Sequence, residues 1–166
     1  HCIENGLQIY RAENVPLMTA LQLQSQEYGQ IAGAMTIQVE GQELTLQQAA
    51  VHLEAQDRDL RQKVYEQMGQ RRLQDKDMLD DLYTILIKDR RQIAVNAGFE
   101  NFRDYSFVAM NRFDYTPQDC LDFHEAVATE GVPLLNDLAR ERKEMLGVAA
   151  LKPWDAQVDP TQKPPL

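Results

Sequence analysis

A long apolar stripe at helical spacing constrains this chain more than any other feature. Between Met78 and Ala97, residues Leu79, Leu82, Tyr83, Leu86, Ile87, Ile93, Ala94 and Ala97 recur mostly three or four positions apart. That period gathers them on one wide face of an α-helix, whereas a strand would scatter them over two faces. Gly98 then offers the left-handed conformation that closes such a helix. A face this wide has to be buried against other elements. The stretch therefore predicts a packed, mainly helical domain.

The same period returns along most of the chain. Pro16 suits a first helical turn, where its missing N–H costs nothing. Leu17, Leu21, Tyr28, Ile31 and Ala32 follow on or near one face. Thr45 and Gln48 have the spacing of a capping box, which predicts a helix from Leu46 with Ala49, Ala50 and Leu53 inward. Asp57 suits an N-cap, and Leu60, Val64 and Met68 repeat every four residues behind it. Phe99, Phe102, Tyr105, Phe107, Phe113 and Tyr115 crowd one stretch, as aromatic wedges between helices do. Thr116-Pro117-Gln118-Asp119 combines a hydroxyl cap, a first-turn proline and an early acid. The helix it starts is expected to run past Val127 and to be kinked or split by Pro133. Leu134, Leu135, Leu138, Met145 and Leu146 lead on to a stop at Gly147.

One stretch breaks the period. In "MTIQVEGQELT", Ile37 and Val39 alternate with Gln38 and Glu40, and Gly41 permits a tight turn. This reads as a short β-hairpin near residues 34–45. The fold class is thus all-α with one hairpin. Residues 1–150 are expected to form the helical domain. Residues 151–166 read as a Pro-rich extended tail.

Composition excludes several roles. The chain has 166 residues, 43% of them apolar, enough for one core. A net charge of −9 argues against nucleic acid and against an anionic membrane surface as partners. No apolar run is long enough to span a bilayer, and no leader pattern opens the chain. Cys2 and Cys120 are too few for a disulfide framework, so a reducing cytoplasm is expected. The chain opens His1-Cys2-Ile3 and closes Lys163-Pro164-Pro165-Leu166, and both ends read as cut from something longer.

Candidate chemistry is sparse. His124-Glu125 is the front half of the His-Glu-x-x-His zinc signature, but position 128 is Ala and the second ligand is missing. His1 and His52 are far away in sequence, and zinc needs about three protein ligands even in an open site. Cys120 and His124 stand at i, i+4, yet no oxyanion turn or orienting Asn accompanies them. Asp75, Asp77, Asp80 and Asp81 interleave with Arg71, Arg72, Lys76 and Lys88 as a solvated face. Arg90 near the apolar stripe, and Arg112 with Asp114 among aromatics, are either buried ion pairs or the polar lining of a cavity. The expected sets of catalytic, cofactor-binding and metal-binding residues are all empty.

Three stretches, in order, carry a family resemblance. They are "GAMTIQVEGQELTLQQAAVHLEAQDRDLRQKVYEQM", "IAVNAGFENFRDYSF" and "VPLLNDLARERKEMLGVAALKPWDAQVDP", with Leu151-Lys152-Pro153-Trp154-Asp155 the sharpest piece. Over roughly residues 15 to 166 the chain resembles an upstream helical part of zinc oligopeptidases of the thimet oligopeptidase/oligoendopeptidase F family. The resemblance implies one wall of a channel that admits short peptides. It implies zinc, and the residues that bind it, in a downstream catalytic half that this sequence does not reach. The implied partners are that half and an oligopeptide substrate, with weak self-association of the isolated chain. A helical interaction module without chemistry is the competing expectation. Trp154 is expected at the seam with the other half.

Overall fold

A computed structural model describes residues 1–161 and 163. Its order is α1 (Cys2–Ile9), α2 (Asn14–Gly33), β1 (Thr36–Val39), β2 (Gln42–Thr45), α3 (Leu46–Ala50), α4 (Arg58–Gln74), α5 (Lys76–Asn96), α6 (Phe102–Ala109), α7 (Pro117–Ala126) and α8 (Val132–Leu146). Short 3-10 turns cover Val51–Glu54 and Pro153–Asp155. The fold is mainly α with a single two-stranded sheet among the described residues. No helix there is long and apolar enough to cross a membrane.

Two compact units divide the chain. The first comprises His1–Gln30 and Asp77–Ala128. Its core is Ile93, Ala94, Ala97 and Tyr105, against which Ile9, Leu17, Leu21, Phe99 and Phe102 pack. Gly98 takes φ 87°, as the sequence required. The N–H of Phe99 reaches the Ala94 carbonyl (2.9 Å) and that of Gly98 the Val95 carbonyl (3.0 Å), so two carbonyls left open by the helix end are satisfied. Asn14 is buried at the start of α2. Its Nδ2 donates to the Ile93 carbonyl (3.0 Å), and its Oδ1 accepts from Asn96 Nδ2 (2.8 Å).

The stripe of α5 is narrower in the structure than in the sequence. Leu82, Leu86, Ile93 and Ala94 are buried, but Tyr83 and Ile87 are exposed. Each lies about 100° round the helix from a buried neighbour, so packing on one side leaves both uncovered.

The second unit comprises Ile31–Lys76 and Thr129–Leu166. Strands β1 and β2 pair antiparallel with Val39 opposite Gln42, and Glu40 (φ 50°) and Gly41 (φ 83°) form the two-residue turn between them. Positive φ at both turn positions matches the twist of the paired strands. Met35, Ile37 and Val39 point inward. The Thr45–Gln48 capping box is present, and α3 buries Leu46 and Ala49 while Ala50 is only half-buried. Asp57 caps α4 by accepting from the N–H groups of Asp59 and Leu60. The buried line of α4 is Arg61, Val64 and Met68, and Leu60 is only half-buried.

Pro133 splits the expected long helix. The upstream helix ends at Ala126, a π turn spans Val127–Gly131, and Pro133 sits in the first turn of α8. A proline in the interior would remove one helical hydrogen bond and clash with the preceding turn, and the wide turn ahead of it avoids both. Gly147 (φ 63°) ends α8 where the sequence placed the stop.

The segment after α8 departs from expectation. It reads from sequence as a Pro-rich extended tail, yet Pro153–Asp155 make a helical turn, and Asp155 and Val158 are buried. Polar ties to α4 and α8, described below, supply the hydrogen bonds that such a segment lacks on its own. The part of that expectation covering Gln162 and residues 164–166 lies outside the described residues.

Candidate functional site

The second unit is organised around one carboxylate. Arg61 and Asp155 are its fully buried charged side chains among the described residues. Arg58 grips Asp155 bidentately, Nε to Oδ1 at 3.0 Å and Nη2 to Oδ2 at 2.9 Å. Arg61 Nη2 also donates to Oδ1 (3.0 Å), and the Lys152 N–H to Oδ2 (2.9 Å). Arg61 Nε donates to the carbonyl of Trp154 (2.8 Å), and its Nη1 to those of Ala55 (2.8 Å) and Gln56 (3.0 Å). From α8, Arg142 Nη1 donates to the carbonyls of Asp155 (3.2 Å) and Val158 (2.8 Å). Trp154 packs against Tyr65, with ring centroids 5.8 Å apart.

These bonds set the acid's chemistry. The Arg58 hydrogen bond holds the Asp155 carboxyl down at about 2, against the upward push of burial, and the Lys152 N–H and Arg61 add to it. Such a group is ionised throughout the neutral range and has no proton to give. It ties residues 152–158 to α4 and performs no acid–base step. A cavity of about 380 Å³ opens beside it, walled by Leu135, Leu138, Leu151 and Pro153, with Arg142 and Asp155 at its polar end.

The first unit contains a different kind of recess. Tyr83, Ile87, Arg90 and Arg91 on α5, with Glu100 and Phe102 at the start of α6, line about 440 Å³. The Arg90 guanidinium carbon lies 5.9 Å from the centre of the Phe102 ring. Of the two roles open to Arg90 from sequence, the structure shows the polar lining of a cavity. Arg112 stacks on Phe107 (4.8 Å) and Tyr115 (5.6 Å), so it is held by aromatic faces, not by a buried ion pair.

The histidines and acids that carry metal or nucleophile chemistry elsewhere stand apart here. His124 and Glu125 are exposed on α7, and Ala128 falls in the π turn behind them. His1 leans on Phe113 at 5.7 Å. Among the described residues no three His, Cys, Asp or Glu side chains converge in a way that would hold a metal ion, so the residues present do not fit a zinc centre. Cys120 is half-buried, and no hydrogen bond joins its thiol to the His124 ring among the described residues. Asp75 pairs with Arg71 (2.5 Å) at the end of α4, the i, i+4 contact its spacing suggested.

Sequence reasoning missed Arg58 and Arg61, because a charged residue is not counted on an apolar face. The one available signal was that Arg61 continues the Val64–Met68 line inward. Asn14 carried no signal at all.

Helix α8 buries no residue, and Val132, Leu134, Leu135, Leu138 and Met145 are exposed, Leu134 and Leu135 at 60% and 62%. That is an apolar helix face without cover in this chain.

A family model described as peptidase family M3 matches residues 51–163. A solved structure of PZ peptidase A with an inhibitor superimposes with a TM-score of 0.92 at 30% identity, over 96% of this chain and 29% of its own. A structure from Bacillus anthracis str. Ames, described as an oligoendopeptidase F, gives 0.89 at 26% identity, over 95% of this chain and 29% of its own. A further oligoendopeptidase F structure gives 0.92 at 28% identity, over 96% and 28%. No curated protein matches. The chain thus spans less than a third of the solved structures it resembles.

Proposed function

Starting from the fact that this chain belongs to peptidase family M3, we propose that it serves as a non-catalytic helical wall of a metallopeptidase that hydrolyses oligopeptides. The observation that carries this reading is the match of nearly the whole chain to under a third of two oligoendopeptidase F structures and a PZ peptidase. The uncovered apolar face of α8 supports it, because a wall needs a surface made to meet the rest of its enzyme. In this reading the metal, zinc, and the hydrolytic step belong to that remaining part. This chain contributes shape, an apolar seam and contacts to the peptide. The net charge of −9 argues against nucleic acid as a partner. A cytoplasmic setting fits its two unpaired cysteines.

Trp154, expected at the seam, packs on Tyr65, and its carbonyl accepts from Arg61 within its own unit. In this reading the exposed Leu134, Leu135 and Leu138 also belong to the seam.

The test is reconstitution. This chain would be mixed with the separately produced remainder of its protein and zinc, then given a short quenched-fluorescent peptide. Cleavage is expected only from the mixture, with folded proteins left intact. Chelator-sensitive cleavage by this chain alone would overturn the wall reading, and so would a mixture that associates yet stays inactive.

A further inference from the structure

We propose that the recess between Arg90, Arg91 and Phe102 binds the free α-carboxylate of a short peptide, with its last apolar side chain on Tyr83, Ile87 and Phe102. The inference rests on the peptidase reading for the source of its ligand, but its geometry stands apart from it.

Arg90 and Arg91 are adjacent on α5 and both line the recess. Among the described residues neither guanidinium forms a hydrogen bond or an ion pair, and the ring contact of Arg90 with Phe102 is the side-chain interaction the pair has. Most other arginines of the chain are engaged by carboxylates or carbonyls, while Arg112 lies on aromatic faces. Arg58, Arg61 and Arg142 converge on Asp155, Arg71 holds Asp75, and Arg103 holds Asp104. In a chain of net charge −9, these two neighbouring guanidinium groups line one recess without an ion-pair partner. A guanidinium resting on a ring face uses its π surface and leaves its N–H donors, all in the plane, available. Those donors form a fork that matches a carboxylate.

The rest of the lining selects among carboxylates. Tyr83, Ile87 and Phe102 give an apolar shelf beside the charge, which fits a peptide ending in an apolar residue better than a free inorganic anion. Glu100, the acid in the lining, disfavours a second negative charge and so a phosphate. The recess, about 440 Å³, lies in the range of small-ligand sites.

Calorimetric titration of the 166-residue chain tests this with three probes: an N-acetylated tetrapeptide ending in leucine, its C-terminal amide, and inorganic phosphate. The acid is expected to bind at least about tenfold more tightly than the amide, since the amide loses the charge-assisted bonds. R91Q and R90Q should each weaken the acid about tenfold or more and leave the amide unchanged. Arg91 is exposed, so R91Q keeps the test valid if R90Q fails to fold. R112Q, whose guanidinium lies outside the recess, should bind as the parent chain does. Equal binding of acid and amide, no binding of the acid, indifference to both substitutions, or phosphate matching the peptide would each overturn the proposal. If the peptide binds as described but reconstitution yields no cleavage, the peptidase reading falls and the site stands. If cleavage is restored and the acid is not preferred, the site falls alone.

Discussion

At the scale of single residues, Asp155 has the largest consequences. It accepts from two arginines and a backbone N–H while buried from solvent. Removing it would strand Arg61, which is itself buried, so D155A is expected to cost about 3–5 kcal/mol in denaturant unfolding. The pH dependence has a definite sign. The Asp155 carboxyl is depressed from 3.8 to about 2 in the folded chain. Its contribution is therefore present above pH 4 and lost as pH falls through 2. Midpoints measured from pH 6 downward should stay flat to about pH 4 and then decline, and the D155N variant should lack that part of the decline. A decline of equal size in both would show that other acids carry it.

Elements raise a different question, namely which side of a helix matters. On α5, Leu82 and Leu86 are 5% and 8% exposed, whereas Tyr83 and Ile87 face outward. Truncating either leucine to Ala should cost about 2–5 kcal/mol, from lost transfer energy and the cavity left behind. Y83A and I87A should change stability by no more than about 0.5 kcal/mol. The end of the same helix is set by backbone geometry. At Gly98, φ 87° strains any side chain, although a Cβ there would touch nothing within 4 Å. G98A is expected to cost roughly 1–2 kcal/mol from conformation alone. Comparing its unfolding midpoint with that of G69A, at a helical glycine without positive φ, isolates that cost.

The whole molecule is governed by the face that α8 leaves open. Such a face seeks cover, so the isolated chain is expected to self-associate weakly, with a concentration-dependent mass in sedimentation. L135D and L138D should abolish that association. Both positions are exposed, so the fold itself should be little affected. In the proposed reconstitution the same two changes should weaken assembly, because each would bury a charge without a partner in an apolar contact. Unchanged assembly in both variants would remove α8 from the seam.

What the sequence determined by itself was local. The capping box of Thr45 and Gln48, the Asp57 cap, the Glu40–Gly41 turn and the stops at Gly98 and Gly147 all depend on residues within a few positions of each other. Short-range hydrogen bonds and backbone sterics decide such features, and they are legible without a fold. The family was legible too, because several local patterns in order suffice for it. Tertiary structure decided the rest. Only the chain's path brings Asp155 to Arg58, 97 positions away, and turns a Pro-rich stretch into a docked helical turn. Only packing chooses Arg61 over Leu60 for the interior, or leaves Tyr83 in the open while Leu82 is covered. Periodicity fixes which residues share a face, but the neighbours that bury or expose that face come from distant sequence.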